Sequence, residues 1–287
     1  MTDAKRAILI GLIGTGIQQS LAPETHMREG ECNGLRYIYR LIDLTELRLC
    51  TDAVPSLLEA AERMGFTGLA VTLPCKELVI PHLTELSDDA RRLGAVNTVL
   101  LKDGRRIGHN TDWVGFAEAF RRDMTGTNKK SVVQLGAGGA GKAVAHALLS
   151  CGVERLALFD LDRKKAQSVV ESLAEHHGGD RIGIVADLPR EVTRADGLVN
   201  ATPIGMAAHP GTPLPLSLLR PDLWVADVIY SPPETELLRA ARALGARTMN
   251  GHGMMLFQAV EQFRLFTDIE PDVPRMLDHL SRLLAPR

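Results

Sequence analysis

Short apolar runs alternate with amphipathic stretches along almost the whole chain, and this alternation constrains the possible folds more than any other feature of the sequence. The apolar runs predict strands at residues 7–13, 37–42, 68–72, 95–101, 131–135, 155–159, 182–185, 197–200, 224–228 and 247–249. The amphipathic stretches predict helices at residues 54–64, 139–150, 163–176, 234–243, 253–266 and 274–284. Strands that alternate with helices form βαβ units, so we predict an α/β fold with mostly parallel sheets.

The length of the chain and the order of its elements predict two domains. A chain of 287 residues is long enough for two domains of about 150 residues each. Residues 113–250 have the pattern of one Rossmann unit, whereas residues 1–112 have strands and helices of their own and predict a second α/β domain. The helices within residues 251–287 have no strand partners, so we expect them to complete the first domain. Asp103 and Gly104, between two apolar stretches, predict a hairpin turn.

Composition and charge exclude several kinds of function. The formal net charge of −2 gives no electrostatic reason to bind nucleic acid or an anionic membrane. No apolar run approaches the roughly 20 residues that a membrane-spanning helix needs, and the first residues do not form the pattern of a signal peptide. We therefore expect a cytoplasmic protein without nucleic-acid or membrane partners, as a monomer or a homodimer.

The four cysteines, Cys32, Cys50, Cys75 and Cys151, predict no cross-links. They form no C-x-x-C pair, and the histidines form no cluster with the spacing of a zinc finger. We therefore expect reduced thiols, no disulfide framework and no metal site.

A glycine-rich loop stands between a predicted strand and a predicted helix. Residues 136–141 read G-A-G-G-A-G, which matches the G-x-G-x-x-G pattern of dinucleotide-binding proteins. Gly136 permits the tight turn, Gly138 lets the backbone approach a pyrophosphate, and Gly141 lets the helix pack close to the strand. The N-terminus of the helix supplies unpaired N–H groups for the phosphates. The alternative is a turn without a ligand, but the flanking strands and helix favour a cofactor site that includes Gly136, Ala137, Gly138, Gly139 and Ala140.

The second strand of this unit ends at Asp160, which bears on the choice of cofactor. A carboxylate there can accept hydrogen bonds from the ribose hydroxyls of NAD, and it repels the 2′-phosphate of NADP. The basic run Arg163, Lys164 and Lys165 could instead bind a phosphate, and Arg163 remains a candidate cofactor contact. We interpret the run as the solvated first turn of a helix, because the acids lie closer to the strand end. The expected cofactor is therefore NAD in preference to NADP.

Eight short motifs occur in a fixed order over nearly the whole chain. They are S-L-A-P-E-T-H at 20–26, A-V-T-L-P-C-K at 70–76, G-A-V-N-T at 94–98, G-H-N-T-D at 108–112, G-A-G-G-A at 136–140, N-A-T-P-I-G-M at 200–206, D-V-I-Y-S-P-P-E-T at 227–235 and G-M-M-L-F-Q at 253–258. Each motif alone is unspecific, but the eight motifs in this order resemble those of the shikimate/quinate dehydrogenase family. The acid at position 160 and residues 201–212 and 234–245 resemble the NAD-type quinate/shikimate branch.

The resemblance implies an oxidoreductase with its substrate in a cleft between the two domains. A hydride would move between NAD and a hydroxylated cyclohexane or cyclohexene carboxylate, converting shikimate to 3-dehydroshikimate, quinate to 3-dehydroquinate, or both. Lys76 and Asp112 match the catalytic pair of the family. The chemistry agrees, because an amine can accept the hydroxyl proton as the hydride leaves. A carboxylate can orient that amine and bind a neighbouring hydroxyl. Linkers near 112–113 and 250–251 would allow the cleft to close.

The resemblance also implies which residues hold the two ligands. The substrate-binding residues would be Ser20, Thr72, Lys76, Asn97, Asp112, Tyr230 and Gln258. On the nicotinamide side, the cofactor-binding residues would be Thr202, Pro203, Met206, Val228 and Gly253. Core packing is an equally good interpretation of Met206, and His26 and His109 are expected to be structural.

Two departures from the family pattern bear on the substrate. Ala22 replaces a hydroxyl residue and Ala70 replaces an asparagine, so each removes a polar side chain near the expected carboxylate. We expect weak binding of shikimate and quinate, or a pocket that accepts an amino analogue of these acids. An inactive NAD-binding sensor is a further alternative, which the retention of Lys76, Asn97 and Asp112 disfavours. A methylene-tetrahydrofolate dehydrogenase is disfavoured by the motifs at 94–98 and 108–112.

Overall fold

The structure, a computed structural model, describes residues 7–284. The chain divides into two compact units, one made of residues up to Thr111 together with residues from Gln258 onward, the other of Asp112–Phe257. Each unit is built around one six-stranded sheet. The predicted mixture of helices with parallel-rich sheets is confirmed.

The first unit contains a mixed sheet with the strand order β2-β1-β3-β5-β6-β4. Its strands are β1 (Ala7–Gly14), β2 (Arg36–Asp43), β3 (Gly68–Val71), β4 (Glu85–Leu86), β5 (Thr98–Lys102) and β6 (Arg105–His109). Its helices are α1 (Ala22–Cys32), α2 (Val54–Arg63), α3 (Cys75–Leu78), α4 (Asp88–Leu93), the later part of α10 (His252–Thr267) and α11 (Val273–Leu284). Strand β1 pairs in parallel with β2 and β3, whereas β5 runs antiparallel to β3 and β6.

The hairpin between β5 and β6 forms where the sequence predicts it. Lys102 pairs with Arg105, and the two residues between them, Asp103 and Gly104, have φ angles of 53° and 72°. Positive φ at both central residues is the requirement of a type I′ turn, which aspartate and glycine meet at low cost. The prediction of a hairpin turn is therefore confirmed.

The C-terminal helices cover one face of the first sheet. Phe263 and Phe266, on α10, lie in one buried cluster with Ile8, Ile10 and Tyr37 of β1 and β2. On α11, Arg275 binds the buried Glu29 of α1 at 2.6 Å. Within the first unit, the later part of α10 thus packs against the sheet, and α11 contacts α1.

The second unit has a fully parallel sheet with the strand order β12-β11-β10-β7-β8-β9. Read from β9, this is the 3-2-1-4-5-6 order of the Rossmann fold. The strands are β7 (Ser131–Leu135), β8 (Arg155–Phe159), β9 (Ile182–Ile184), β10 (Gly197–Asn200), β11 (Trp224–Asp227) and β12 (Thr248–Met249). The helices are α5 (Asp112–Asp123), α6 (Gly139–Ser150), α7 (Arg163–His177), α8 (Leu188–Arg194), α9 (Glu236–Ala243) and the first turns of α10.

The predicted elements differ from the observed ones mainly at their ends. The expected strand 95–101 begins only at Thr98, because Val96 and Asn97 use their backbone N–H groups to bind the carbonyls of Lys76 and His109. Helix α9 begins at Glu236, not at residue 234, since Thr235 caps it by accepting from Leu238 N. Helices α1, α3, α4 and α8 lie outside the predicted helices.

The observed boundary of the second unit lies inside α10, several residues later than the expected end at residue 250. The first turns of α10 pack against α5, where Gly253 approaches Ala119 and Phe257 lies under the guanidinium of Arg122. From Gln258 onward the helix contacts the first unit, beginning with Asn97. Within residues 7–284, no helix is long and apolar enough to cross a membrane.

Candidate functional site

The three glycines of the G-x-G-x-x-G pattern differ in the space that their surroundings leave for a side chain. Gly136 has a φ of +98°, and a Cβ on it would lie 2.6 Å from the carbonyl oxygen of Ala201. A Cβ on Gly141 would lie 2.3 Å from the carbonyl oxygen of Gly136, whereas a Cβ on the exposed Gly138 would meet no atom within 4 Å. The loop is therefore closed at both ends and open in the middle, where α6 presents its first N–H groups.

Two side chains hold this loop in shape. The amide nitrogen of the buried Gln134 donates to the carbonyls of Gly136 and Gly141, both at 2.8 Å. On the other flank, Asp160 Oδ2 accepts from the backbone N–H of Ala137 at 2.7 Å. The sequence interpretation assigned no role to Gln134, although one polar residue in the apolar strand S-V-V-Q-L was a signal of special function.

Asp160 stands half-buried at the end of β8, beside the glycine loop. Its second oxygen accepts from the N–H of Asp162 at 2.8 Å, so both carboxylate oxygens have a defined direction. Asp162 in turn caps α7 by accepting from Lys164 N. Arg163, Lys164 and Lys165 are exposed in the first turn of α7, which is the solvated position expected for them.

Four of the expected nicotinamide-side residues follow β10 and β11, and the fifth, Gly253, lies in the first turn of α10. Thr202 and Val228 are half-buried, and Pro203 is exposed. Met206 is 39% exposed, so core packing, one of its two interpretations, is wrong. Gly253 is half-buried beside Ala119.

A buried hydrogen-bonded network supports the loops that follow β10 and β11. The sequence did not predict this network. Asn200, Asp227 and Thr235, fully or almost fully buried, are joined through the carboxylate of Asp227. The sequence did draw attention to these three residues, because each belongs to one of the family motifs at 200–206 and 227–235. Their spacing in the sequence, however, did not show that they meet.

In the first unit, three of the motifs converge on Asn97. Its side-chain oxygen accepts from Thr111 N at 2.7 Å and from Thr98 Oγ1 at 2.9 Å. Its amide nitrogen donates to Thr111 Oγ1 at 2.9 Å and to Gln258 Oε1 at 3.4 Å. The carbonyl of Lys76, in the short helix α3, accepts from Val96 N at 2.8 Å. The predicted residues Lys76, Asn97 and Gln258 are thus linked by hydrogen bonds between the segments that carry them, and Thr111 is an additional member.

The other predicted substrate residues lie in separate segments. Ser20 is half-buried, and its hydroxyl accepts from Ala22 N at 3.3 Å. The loop before Ser20 is held by Asp43, whose carboxylate accepts from Gly16 N and Ile17 N, both at 2.9 Å. These bonds lower the pKa of Asp43 against the effect of burial, which is the largest single influence and raises it.

The remaining candidates occupy the end of β3 and the second unit. Thr72 follows β3 and donates its backbone N–H to Ile13 O at 2.9 Å. Asp112 begins α5, and Tyr230 follows β11 and is 37% exposed. The carbonyl of Tyr230 accepts from His252 Nε2 at 3.1 Å.

His26 has a structural environment. It is completely buried among Tyr37, Tyr39 and Phe263, and its Nδ1 lies 3.1 Å from the hydroxyl of Tyr37. Burial lowers the pKa of His26 to about 3, so the ring is neutral at physiological pH. This neutral, enclosed ring agrees with the structural role expected from the sequence.

The two alanines that depart from the motifs have different surroundings. Ala22 is the half-buried first residue of α1, two positions after Ser20. Ala70 is 3% exposed and lies in the apolar cluster with Ile8 and Phe263. A polar group at position 22 would lie beside Ser20, whereas one at position 70 would enter an apolar core.

The fold and the glycine loop define the class of two-unit α/β proteins with a Rossmann-type second unit, and comparison with known proteins specifies the family. Residues 12–99 match the family described as the shikimate dehydrogenase substrate binding domain. Residues 251–280 match the shikimate 5′-dehydrogenase C-terminal domain. The chain belongs to the shikimate/quinate dehydrogenase family.

Individual relatives support this assignment over nearly the full length of both chains. The shikimate dehydrogenase (NADP(+)) of Streptomyces avermitilis is 53% identical over 277 residues, covering 96% of this chain and 95% of that protein. The quinate/shikimate dehydrogenase (NAD(+)) of Corynebacterium efficiens is 47% identical, covering 94% and 96%. The structure of quinate dehydrogenase from Corynebacterium glutamicum in complex with NAD superposes with a TM-score of 0.93 at 45% identity, covering 97% and 100%. The relatives therefore include both NAD-named and NADP-named enzymes.

Proposed function

We propose that the chain transfers a hydride between NAD and a hydroxylated cyclohexane or cyclohexene carboxylate, with shikimate and quinate as the reference substrates. The observation that carries the proposal is the convergence of the motifs at 70–76, 94–98 and 108–112 on the buried Asn97. Such a rigid polar cluster fixes the segments that carry Lys76, Asn97 and Gln258, which supports a site built to orient a ring with several hydroxyls. The test is turnover with NAD and with NADP on quinate, shikimate and their amino analogues, and an absence of turnover with all of them would contradict the proposal.

In this proposal Lys76 is the acid–base group and Asp112 is the carboxylate of the catalytic pair. Oxidation of a secondary alcohol requires that the hydroxyl proton leave as the hydride departs, and the neutral amine of Lys76 accepts it. In the reverse direction the ammonium returns the proton to the carbonyl oxygen. Bound NAD supplies the hydride acceptor. Asn97 uses its side-chain oxygen for Thr111 and Thr98 and its amide nitrogen for Thr111 and Gln258, so in this proposal it holds the segments of the site in place.

The glycine loop fits the pyrophosphate of a dinucleotide. Gly138 leaves open space where a phosphate must approach the backbone, and the first turn of α6 adds free donors there. In this proposal Asp160 accepts from a ribose hydroxyl, which is supported by its position beside the glycine loop and by the fixed orientation of its carboxylate. We propose that this carboxylate makes NAD the preferred cofactor, because it would repel a 2′-phosphate.

We expect wild-type protein to have a higher kcat/KM with NAD than with NADP, and substitutions of Asp160 to reduce the difference. Asp160→Ala removes the charge, but it also removes the acceptor that holds Ala137 N. Asp160→Asn removes the charge and can keep the acceptor for Ala137 N, although it loses the acceptor for Asp162 N, so it disturbs the glycine loop less than Asp160→Ala. Steady-state kinetics with both cofactors measures the ratio.

The two variants should therefore separate electrostatics from loop support. In Asp160→Asn the preference for NAD should shrink while the melting temperature stays near that of the wild type. In Asp160→Ala both cofactors should bind more weakly. Wild-type preference for NADP, or an unchanged ratio in Asp160→Asn, would show that Asp160 does not set the preference.

Ala22→Ser should lower the KM for shikimate and quinate. We propose that Ser20 binds the substrate carboxylate and that Ala22 leaves this carboxylate one donor short. A hydrogen bond to a charged group contributes about 1.5–3 kcal/mol, and a factor of ten in KM corresponds to about 1.4 kcal/mol. Water in the gap can recover part of this, so we expect a decrease of about tenfold. Steady-state kinetics on both acids provides the measurement.

Ala70→Asn is the matched comparison for this prediction. Ala70 is buried in an apolar cluster, so an asparagine there should lower the melting temperature more than it improves the KM. NAD affinity should be unchanged in both variants. A low shikimate KM in the wild type would contradict the missing-donor argument. Efficient turnover of an amino analogue, with no gain from Ala22→Ser, would instead indicate a pocket shaped for that substrate.

A further inference from the structure

A fully buried carboxylate in the second unit has no role in the chemistry described so far. Asp227, the last residue of β11, is 0% exposed. One carboxylate oxygen accepts from Asn200 Nδ2 and from Ile229 N, both at 3.1 Å, and the other accepts from Thr235 Oγ1 at 2.8 Å. The three donors come from three different segments, which the carboxylate therefore ties together.

The network continues from Asn200 into the loop that follows β10. Its side-chain oxygen accepts from the backbone N–H of Thr202 at 3.0 Å and from the Thr202 hydroxyl at 2.7 Å. Its amide nitrogen, besides the bond to Asp227, donates to Ile204 O at 3.1 Å. Asn200 is fully buried, so its orientation is determined by these four partners. Asp227 thus fixes Asn200, and Asn200 fixes Thr202 and Ile204 in the loop at 202–206.

The position in the sheet shows which half of a dinucleotide this network serves. In the strand order, β8 lies on one side of β7 and β10 and β11 lie on the other. The glycine loop follows β7 and Asp160 follows β8, so an adenosine held by Asp160 lies on the β8 side. A dinucleotide with its pyrophosphate at the glycine loop places its other half over the ends of β10 and β11.

We propose that Asp227 is a positioning residue for the nicotinamide half of the cofactor, acting through Asn200 on Thr202 and through its own backbone on Val228. The inference rests on the proposed dehydrogenase function. A carboxylate suits this task because an ionised carboxylate only accepts, so all three donors must point toward it. Burial raises the pKa of Asp227 in spite of its three donors, so the ionised group disfavours folding in this place. An apolar side chain there would leave three donors without their acceptor, so the carboxylate keeps them oriented in spite of its own desolvation.

The test separates the two halves of the cofactor by using ADP-ribose as a probe that lacks nicotinamide. In Asp227→Asn and in Thr235→Val, we expect the dissociation constant of NAD to rise by about tenfold, or about 1.4 kcal/mol, which is part of what one hydrogen bond to a charged group contributes. The dissociation constant of ADP-ribose should change by less than about twofold. The kcat with NAD should also fall, because a displaced nicotinamide reaches the reactive geometry less often. Thr235→Ser keeps the hydroxyl, so its dissociation constants for NAD and ADP-ribose and its kcat should stay at the wild-type values.

Asp196→Asn is the matched control. Asp196 accepts from Ser131 N at 2.8 Å at the opposite end of the same sheet, so it tests the loss of a carboxylate in this unit away from the loops. Its NAD and ADP-ribose affinities and its kcat should equal those of the wild type.

The outcomes are decisive even if a variant is destabilised or the proposed function fails. A purely structural role would lower the melting temperature without changing the ratio of the NAD and ADP-ribose dissociation constants, and this would overturn the inference. Equal weakening of both ligands would also overturn it. The binding measurements need no turnover, so they remain valid if wild-type protein oxidises none of the ring acids, a result that would contradict the proposed function alone.

Discussion

Lys76→Ala is expected to lower kcat by about 10²–10⁴, the usual loss when a general acid–base group is removed. The carbonyl of Lys76 accepts from Val96 N, and this backbone bond is independent of the side chain. Alanine is also a good helix former, so helix α3 and the segment at 94–98 should keep their positions. The loss should therefore appear in kcat, while the affinity for NAD and the melting temperature stay near their wild-type values.

Two further variants test whether the loss of kcat comes from the loss of proton transfer by Lys76. Lys76→Arg keeps the positive charge, but a guanidinium does not release its proton, so it should be nearly as impaired as the alanine variant. Lys102→Ala removes a lysine from the same unit whose side chain is 61% exposed and should leave kcat unchanged. A near-normal kcat in Lys76→Ala, or full activity in Lys76→Arg, would remove proton transfer by this lysine from the mechanism.

Local signals in the sequence predicted much of the fold. The Asp103–Gly104 turn, the strand before the glycine loop and helix α6 are determined by residues within a few positions of one another. Helix α1 was missed because A-P-E-T-H-M-R-E-G-E-C has too few apolar residues to show a helical period, and its buried positions include Thr25, His26 and Glu29. Glu29 is satisfied by Arg275, about 250 positions later, a pairing that no local pattern indicates.

In the candidate site, too, the features that depend on neighbouring residues in the sequence were predicted, and the contacts between distant residues were not. The roles predicted for Gly136 and Gly138 depend on backbone shape, and the observed φ of Gly136 and the open space at Gly138 agree with them. The network of Asn200, Asp227 and Thr235 depends on the adjacency of β10 and β11. Motif positions drew attention to these residues, but only the strand order brings them together.

Gly141 has a tighter constraint than the sequence pattern implies. The pattern suggests only that the helix must approach the strand. The nearest atoms to an added Cβ are the carbonyl oxygen and carbon of Gly136 at 2.3 and 2.9 Å, followed by Gln134 Nε2 at 3.4 Å. The oxygen belongs to the backbone of the loop, so it cannot move aside as the end of a flexible side chain can. The same oxygen and the carbonyl of Gly141 are the two acceptors of Gln134. A methyl group at position 141 therefore opens the loop and breaks the bonds that hold it closed.

Gly141→Ala should accordingly lower both the melting temperature and the affinity for NAD. Overpacking of this kind costs about 1–3 kcal/mol, which corresponds to roughly 5–150-fold if the distorted loop must be restored before the cofactor binds. Gly138→Ala should lose NAD binding without losing stability, because its Cβ meets no atom within 4 Å in the protein but occupies the space that a pyrophosphate needs. Gly183→Ala, also with no atom within 4 Å, is the control and should change neither quantity. Thermal unfolding and NAD titration of the three variants give six values. Equal NAD affinities in Gly138→Ala and the wild type would show that the pyrophosphate does not lie on this loop.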